Sequence, residues 1–105
     1  MKVEFTDSAK ADLHDLRSYL LKYKPKGTWQ LVSTQIKERI EHIAKYPRSG
    51  SILEELEDYP DGVRQVLTDQ QRIIYRLAGD TIYIHVICGQ AQDFQDLLAK
   101  KLTRP

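Results

Sequence analysis

Residues 72–88 read Arg72-Ile73-Ile74-Tyr75-Arg76-Leu77-Ala78-Gly79-Asp80-Thr81-Ile82-Tyr83-Ile84-His85-Val86-Ile87-Cys88. Two runs rich in β-branched and aromatic residues flank Ala78-Gly79-Asp80, whose composition suits a tight turn, so the stretch predicts antiparallel strands over Arg72–Leu77 and Thr81–Cys88. A third strand candidate, Val63–Leu67, precedes them. In the last strand, strict alternation points Ile82, Ile84, Val86 and Cys88 one way and Tyr83, His85 and Ile87 the other. At least one sheet face is then wholly apolar and requires a cover.

The first half of the chain supplies that cover. Val3-Glu4-Phe5 alternates like a short strand and meets Thr6-Asp7-Ser8, whose short side-chain oxygens suit a helix N-cap. Ala9, Leu13, Leu16, Leu20 and Tyr23 then recur at spacings of three or four, the period of an amphipathic helix. Lys24-Pro25-Lys26-Gly27 ends it, because proline cannot continue the ladder and glycine permits any turn. A second helix, with Thr28 as its expected cap, carries Trp29, Val32, Ile36, Ile40 and Ile43 and stops at Tyr46-Pro47. The short connection predicts an antiparallel helical hairpin. Leu13, Leu16, Val32, Ile36 and Ile40 are the expected core residues beneath the sheet. After a polar break at Gln90–Gln92, Asp93 is placed to cap a short C-terminal helix with Phe94, Leu97, Leu98 and Leu102 as its apolar stripe. The expected fold is α+β: an N-terminal strand, two helices packed on an antiparallel sheet, and a C-terminal helix.

Composition sets limits on function. At 105 residues the chain has room for one domain, residues 1–105. Sixteen Lys+Arg against fifteen Asp+Glu leave a net charge of +1, which disfavours binding by coating a long phosphate backbone. Charge is modestly segregated: Arg48–Gly62, read as a surface loop, carries net −4, and the flanking parts carry +3 and +2. The single cysteine, Cys88, allows no internal disulfide and no thiolate zinc cluster, so a cytoplasmic protein is expected. No apolar run reaches membrane-spanning length, so no membrane partner is expected.

Residue constellations narrow it further. Neither a Gly-x-Ser-x-Gly elbow nor a phosphate-cradling glycine loop is present. His14, His42 and His85 lie on separate elements and lack metal-ligand spacing, so no metal or other cofactor is expected. His85 shares a strand face with Tyr83 and is open to two readings, a semi-buried sheet histidine or part of a binding face. The strongest local feature is Arg64, Arg72 and Arg76 with Tyr75 between the last two. Arg72 and Arg76 share a face with Ile74, and Arg64 is expected to join them across the sheet. Guanidinium forks clustered there suit phosphate, carboxylate or an acidic partner helix; the alternative is a solvated face with ion pairs to the acidic loop. Of six tyrosines, Tyr19, Tyr23, Tyr46 and Tyr59 are expected to close boundaries between elements. The helix faces also suit an amphipathic partner helix in a groove.

Three strings in this order resemble the RelE/ParE superfamily of bacterial toxins. They are Phe5-Thr6-Asp7-Ser8-Ala9-Lys10-Ala11-Asp12-Leu13, the pair Gly62-Val63-Arg64-Gln65-Val66-Leu67 and Arg72-Ile73-Ile74-Tyr75-Arg76-Leu77, and Ile82-Tyr83-Ile84-His85-Val86-Ile87. Tyr46-Pro47-Arg48-Ser49-Gly50 looks like the helix stop of that superfamily. The resemblance runs over nearly the whole chain. It implies a small cytoplasmic toxin held inactive by a cognate antitoxin, which wraps the toxin and itself commonly binds operator DNA.

The superfamily contains two activities. RelE-type members cleave mRNA on the ribosome with basic sheet residues, an arginine after the last strand and often a C-terminal tyrosine. Here Arg64 and Arg72 match the sheet positions approximately, but Val66 stands where a companion base is usual. Gln90-Ala91-Gln92 replaces the arginines, and Phe94 or Gln95 the phenol. ParE-type members, similar in their two long helices and in the Ile-Ile-Tyr-Arg strand, inhibit DNA gyrase and block replication without being catalysts. The incomplete basic set favours gyrase as the target over the ribosome and mRNA. Arg64, Arg72, Tyr75 and Arg76 are then the expected target or antitoxin contacts, and no catalytic residue is assigned. Arg64, Arg72 and His85 are the catalytic group if the chain is instead an RNase. A third reading is a degenerate member that binds its antitoxin and arrests nothing.

Overall fold

The structure, a computed structural model, describes residues 1–53 and 62–90. Strand β1 (Lys2–Phe5) leads into helices α1 (Asp7–Tyr23) and α2 (Thr28–Lys45), followed by strands β2 (Ser51–Ile52), β3 (Val63–Leu67), β4 (Gln71–Ala78) and β5 (Thr81–Gly89). The C-terminal helix expected around Phe94–Leu102, and the acidic run Glu54–Asp61 with Tyr59, lie outside the described residues.

Thr6 joins the two layers. Its extended backbone and Oγ1, which accepts from the Ala9 N–H at 3.1 Å, cap α1. Its own N–H and hydroxyl both donate to the Ile84 carbonyl at 3.1 Å, so one residue starts the helix and pins it to β5. The second helix starts differently from expectation. Gly27, at φ 93°, takes the N-cap position with no side-chain hydrogen bond, and Thr28 falls inside the first turn. Reversal after Pro25-Lys26 requires a left-handed residue, which only glycine adopts without strain.

The sheet order is β1-β5-β4-β3-β2. The β2–β5 pairings are antiparallel, as expected of the hairpin strands, but β1 adds to β5 in parallel, making the sheet mixed. Such pairing requires a long crossover, which the helical hairpin and later strands provide. β2 was not anticipated within the loop. Two residues are too few to show a period, and they are held by pairing with Arg64 and Gln65.

One face of the sheet packs on the helices. Ala9, Leu20, Val32, Ile36 and Ile43 from the helices form one core with Ile73, Tyr75, Leu77, Ile82, Ile84 and Ile87. Leu13, Leu16 and Ile40 pack against it partly buried. Burying a large aliphatic side chain in this way contributes about 1.5–3 kcal/mol. The alternation expected along β5 breaks once: Ile74 pairs with Val86 and Tyr75 with Ile84, so His85 is an extra, bulged residue. Ile82 and Ile84 therefore share the helix face with Ile87, and Val86 and Cys88 turn to the other face with Tyr83 and His85. Tyr19, Tyr23 and Tyr46 are more than half exposed instead of closing boundaries, with Tyr19 against Tyr23 and Tyr46 against His42.

Candidate functional site

The face of the sheet turned away from the helices carries the polar chemistry. Residue period places Arg72, Ile74 and Arg76 of β4 there, opposite in direction to the core residues Ile73, Tyr75 and Leu77. Ile74 is fully buried between the two partly buried arginines. Cross-strand pairing adds Gln65 from β3 and Tyr83 from β5, and His85 lies on the same side as Tyr83, with its Nε2 at Arg76.

Each arginine is held by a different set of neighbours. The Arg72 Nη1 donates to the side-chain oxygen of Gln65, and its Nη2 to the Gln90 carbonyl at 3.4 Å. Gln90 is fixed in turn, its side-chain amide donating to the Thr68 carbonyl at 2.6 Å and its backbone N–H to Gln70. The sequence shows Gln90 as part of a polar break and of the stretch replacing the superfamily's arginines, but not that it closes the β3–β4 turn over Arg72. The Arg76 Nε donates to His85 Nε2 at 3.3 Å, and its guanidinium carbon lies 5.4 Å from the centre of the Tyr83 ring. Burial, and secondarily the charge of Arg76, lower the His85 pKa to about 4, so the imidazole is neutral near pH 7 and accepts through Nε2.

Arg64 does not join this group. It pairs with Tyr75, Val66 pairs with Ile73, and both partners belong to the helix-side core, so Arg64 projects from the opposite face. There its Nη1 donates to the carbonyls of Arg48 at 3.2 Å and Gly50 at 3.0 Å. Tyr75 is fully buried beside it. Its hydroxyl donates to the Pro47 carbonyl at 2.8 Å and accepts from the Gly50 N–H at 3.0 Å. Burial raises the phenol pKa, against smaller lowering contributions from Gly50, Arg64 and Ser49. Arg64 and Tyr75 thus clasp the 47–50 segment linking α2 to β2. The three residues named for an RNase are split, with Arg72 and His85 on one face and Arg64 on the other.

A second surface lies on the helical side. A groove of about 510 Å³ runs along α1 and α2, walled by Phe5, Leu13, Trp29, Ile36 and Ile40, with an almost wholly apolar lining. His14, Arg17, Lys37 and Glu41 also border it. Among the described residues, no three His, Cys, Asp or Glu side chains converge as a metal site, and no helix is long and apolar enough to cross a membrane.

A two-helix hairpin laid over a five-stranded sheet that carries arginines on its far face is the architecture of RelE/ParE-type toxins. The family model for the ParE toxin of the type II toxin-antitoxin system parDE matches residues 3–94, and the chain belongs to that family. A solved structure described as the chromosomal ParDE TA system from P. aeruginosa superposes with a TM-score of 0.64. It is 21% identical, over 85% of this chain and 95% of that one, a likeness of fold. No curated protein matches. Membership implies an antitoxin partner.

Proposed function

We propose that this toxin arrests growth by inhibiting DNA gyrase, blocking replication without catalysing a reaction of its own. Family membership supports this reading, but the observation that carries it against mRNA cleavage is the split of Arg64 from Arg72 and His85. Phosphodiester cleavage by 2′-OH attack needs cations at the developing charge and a proton-transfer group within reach of one another. Here the only one of these groups that titrates near neutrality in an unperturbed state, His85, has its Nε2 engaged by Arg76 and a pKa near 4. Inhibition by binding needs no such constellation, only a higher affinity for one gyrase conformation than for the others.

In this reading the cytoplasmic toxin is neutralised by its antitoxin, through which alone it meets operator DNA. The antitoxin lays an amphipathic helix in the apolar groove of α1 and α2, the helix-in-groove mode, with Trp29 and Leu13 among its anchors. Arg72 and Arg76 on the sheet supply target or antitoxin contacts.

The test is pulse-labelling of DNA and protein synthesis in the first minutes after induction without antitoxin, followed by a supercoiling assay with purified gyrase. Early loss of DNA synthesis with inhibited supercoiling is expected. Early loss of translation overturns the reading in favour of mRNA cleavage, and no arrest overturns it in favour of a binding-only member.

A further inference from the structure

Arg76 is held as a receptor is held. Across the outer face its neighbours form one row: Glu4 pairs with Tyr83, Tyr83 with Arg76, and Arg76 with Val63. The guanidinium carbon lies over the Tyr83 ring and His85 accepts from its Nε, so two contacts hold the fork in place. Neither Nη has a hydrogen-bond partner among the described residues, and neither is sealed from solvent. The ion pairs among the described residues, Lys2 with Glu4 and His14 with Asp15, do not involve Arg76.

Among the described residues, this arrangement gives the Arg76 guanidinium no ion-pair partner. His85, neutral at physiological pH, supplies an acceptor but no anion. A partly buried guanidinium in that state is less well solvated than on open surface, and an incoming anion restores the balance. Two parallel Nη–H donors match the two oxygens of a carboxylate. A phosphate backbone fits less well, since polyanion binding draws on several cations and the same row holds an acid, Glu4, whose neighbour Lys2 is already paired with it at 3.4 Å.

We infer that Arg76, oriented by His85 and Tyr83, is a recognition site for a single protein carboxylate, and that an Asp or Glu side chain of the antitoxin occupies it in the neutralised complex. The inference rests on the toxin–antitoxin reading above. It adds a polar, orienting contact on the sheet to the apolar groove on the helices, and so requires the antitoxin to reach both faces.

The test uses the full chain in complex with the antitoxin encoded beside it. Arg76→Gln is expected to weaken the complex about 10- to 100-fold, and Arg76→Lys less, because charge is kept and the fork is lost. Neutralising the antitoxin acids one at a time, Asp to Asn and Glu to Gln, is expected to find one whose loss matches that of Arg76→Gln. That change adds nothing further in the Arg76→Gln background. Thermal melts of the free variants separate weakened binding from misfolding. As an independent probe, sodium acetate is expected to shift the His85 imidazole NMR signals of wild type but not of Arg76→Lys, with equal sodium chloride as the control.

A tight wild-type complex in which no antitoxin acid couples to Arg76 overturns the inference and leaves the toxin–antitoxin reading intact. Loss of gyrase inhibition in Arg76→Gln with unchanged antitoxin affinity overturns it too, moving the carboxylate to the target. Failure of wild type to bind the antitoxin at all overturns both.

Discussion

Replacing Tyr75 with Phe removes one oxygen from the centre of the molecule and leaves the ring in place. That oxygen donates to Pro47 and accepts from Gly50, bonds of 2.8 and 3.0 Å that tie the end of α2 and the start of β2 to β4. Each such bond contributes about 0.5–1.5 kcal/mol net. The larger effect comes from what stays behind, because the Gly50 N–H belongs to a buried residue and loses its acceptor, a penalty of about 1–3 kcal/mol. The expected destabilisation is about 2–4 kcal/mol, or a Tm lower by about 10–25 °C for a domain of this size. Urea denaturation followed by circular dichroism reads it as a lower midpoint at unchanged m-value. Antitoxin affinity of the folded fraction is expected to stay unchanged, since the phenol is fully buried. A stability change below about 0.5 kcal/mol, or wild-type stability with weakened antitoxin binding, would refute the clasp and return Tyr75 to the binding surface.

Further expectations concern the same clasp and the outer face. Gly50→Ala places a Cβ 2.5 Å from the Tyr75 hydroxyl and 2.9 Å from the Gln65 carbonyl, so it is expected to destabilise by about 1–3 kcal/mol; wild-type melts would show that the loop yields. Arg64→Ala, which removes the bonds to Arg48 and Gly50, is expected to lower stability by about 1–3 kcal/mol and leave gyrase inhibition by the folded protein unchanged; lost inhibition at full stability would make Arg64 a contact residue. His85, depressed from 6.5 to about 4 in the folded chain, takes up its proton first in the unfolded one, so stability falls as pH drops from about 6.5 to 4. Partial exposure reduces the effect to about 1–2 kcal/mol, read from urea midpoints at the two pH values; an undiminished pH slope in His85→Gln would assign it elsewhere.

The local signals in the chain were strong where a period of 3.6 or 2 ran for several turns or residues. Ala9 to Tyr23 and Trp29 to Ile43 declared two helices, and Arg72 to Cys88 a hairpin, because amphipathic periodicity is a property of consecutive residues. The strings around Thr6, Tyr46-Pro47 and Arg72–Leu77 also resembled the right superfamily. Thr28 as a helix cap failed for a local reason, since the neighbouring glycine was needed for a positive φ and displaced the cap by one residue.

The candidate site was legible only as a set of residue types. That Arg72 and Arg76 share a face follows from spacing within one strand. Whether Arg64 joins them depends on the register between β3 and β4, and a shift of one residue reverses every side chain. Pairing Arg64 with Tyr75 put it on the helix side, and made both of them holders of the 47–50 segment. The bulge at His85 acted in the same way, turning Val86 and Cys88 outward beside Tyr83 and His85 and sending Ile87 to the helix side. Sequence alone thus determined the two long helices, the three strands β3 to β5 and the kinship, all written in neighbouring residues. Only the tertiary structure decided which arginines face outward and which one holds the 47–50 segment, because side-chain direction in a sheet is set by partners far away in the chain.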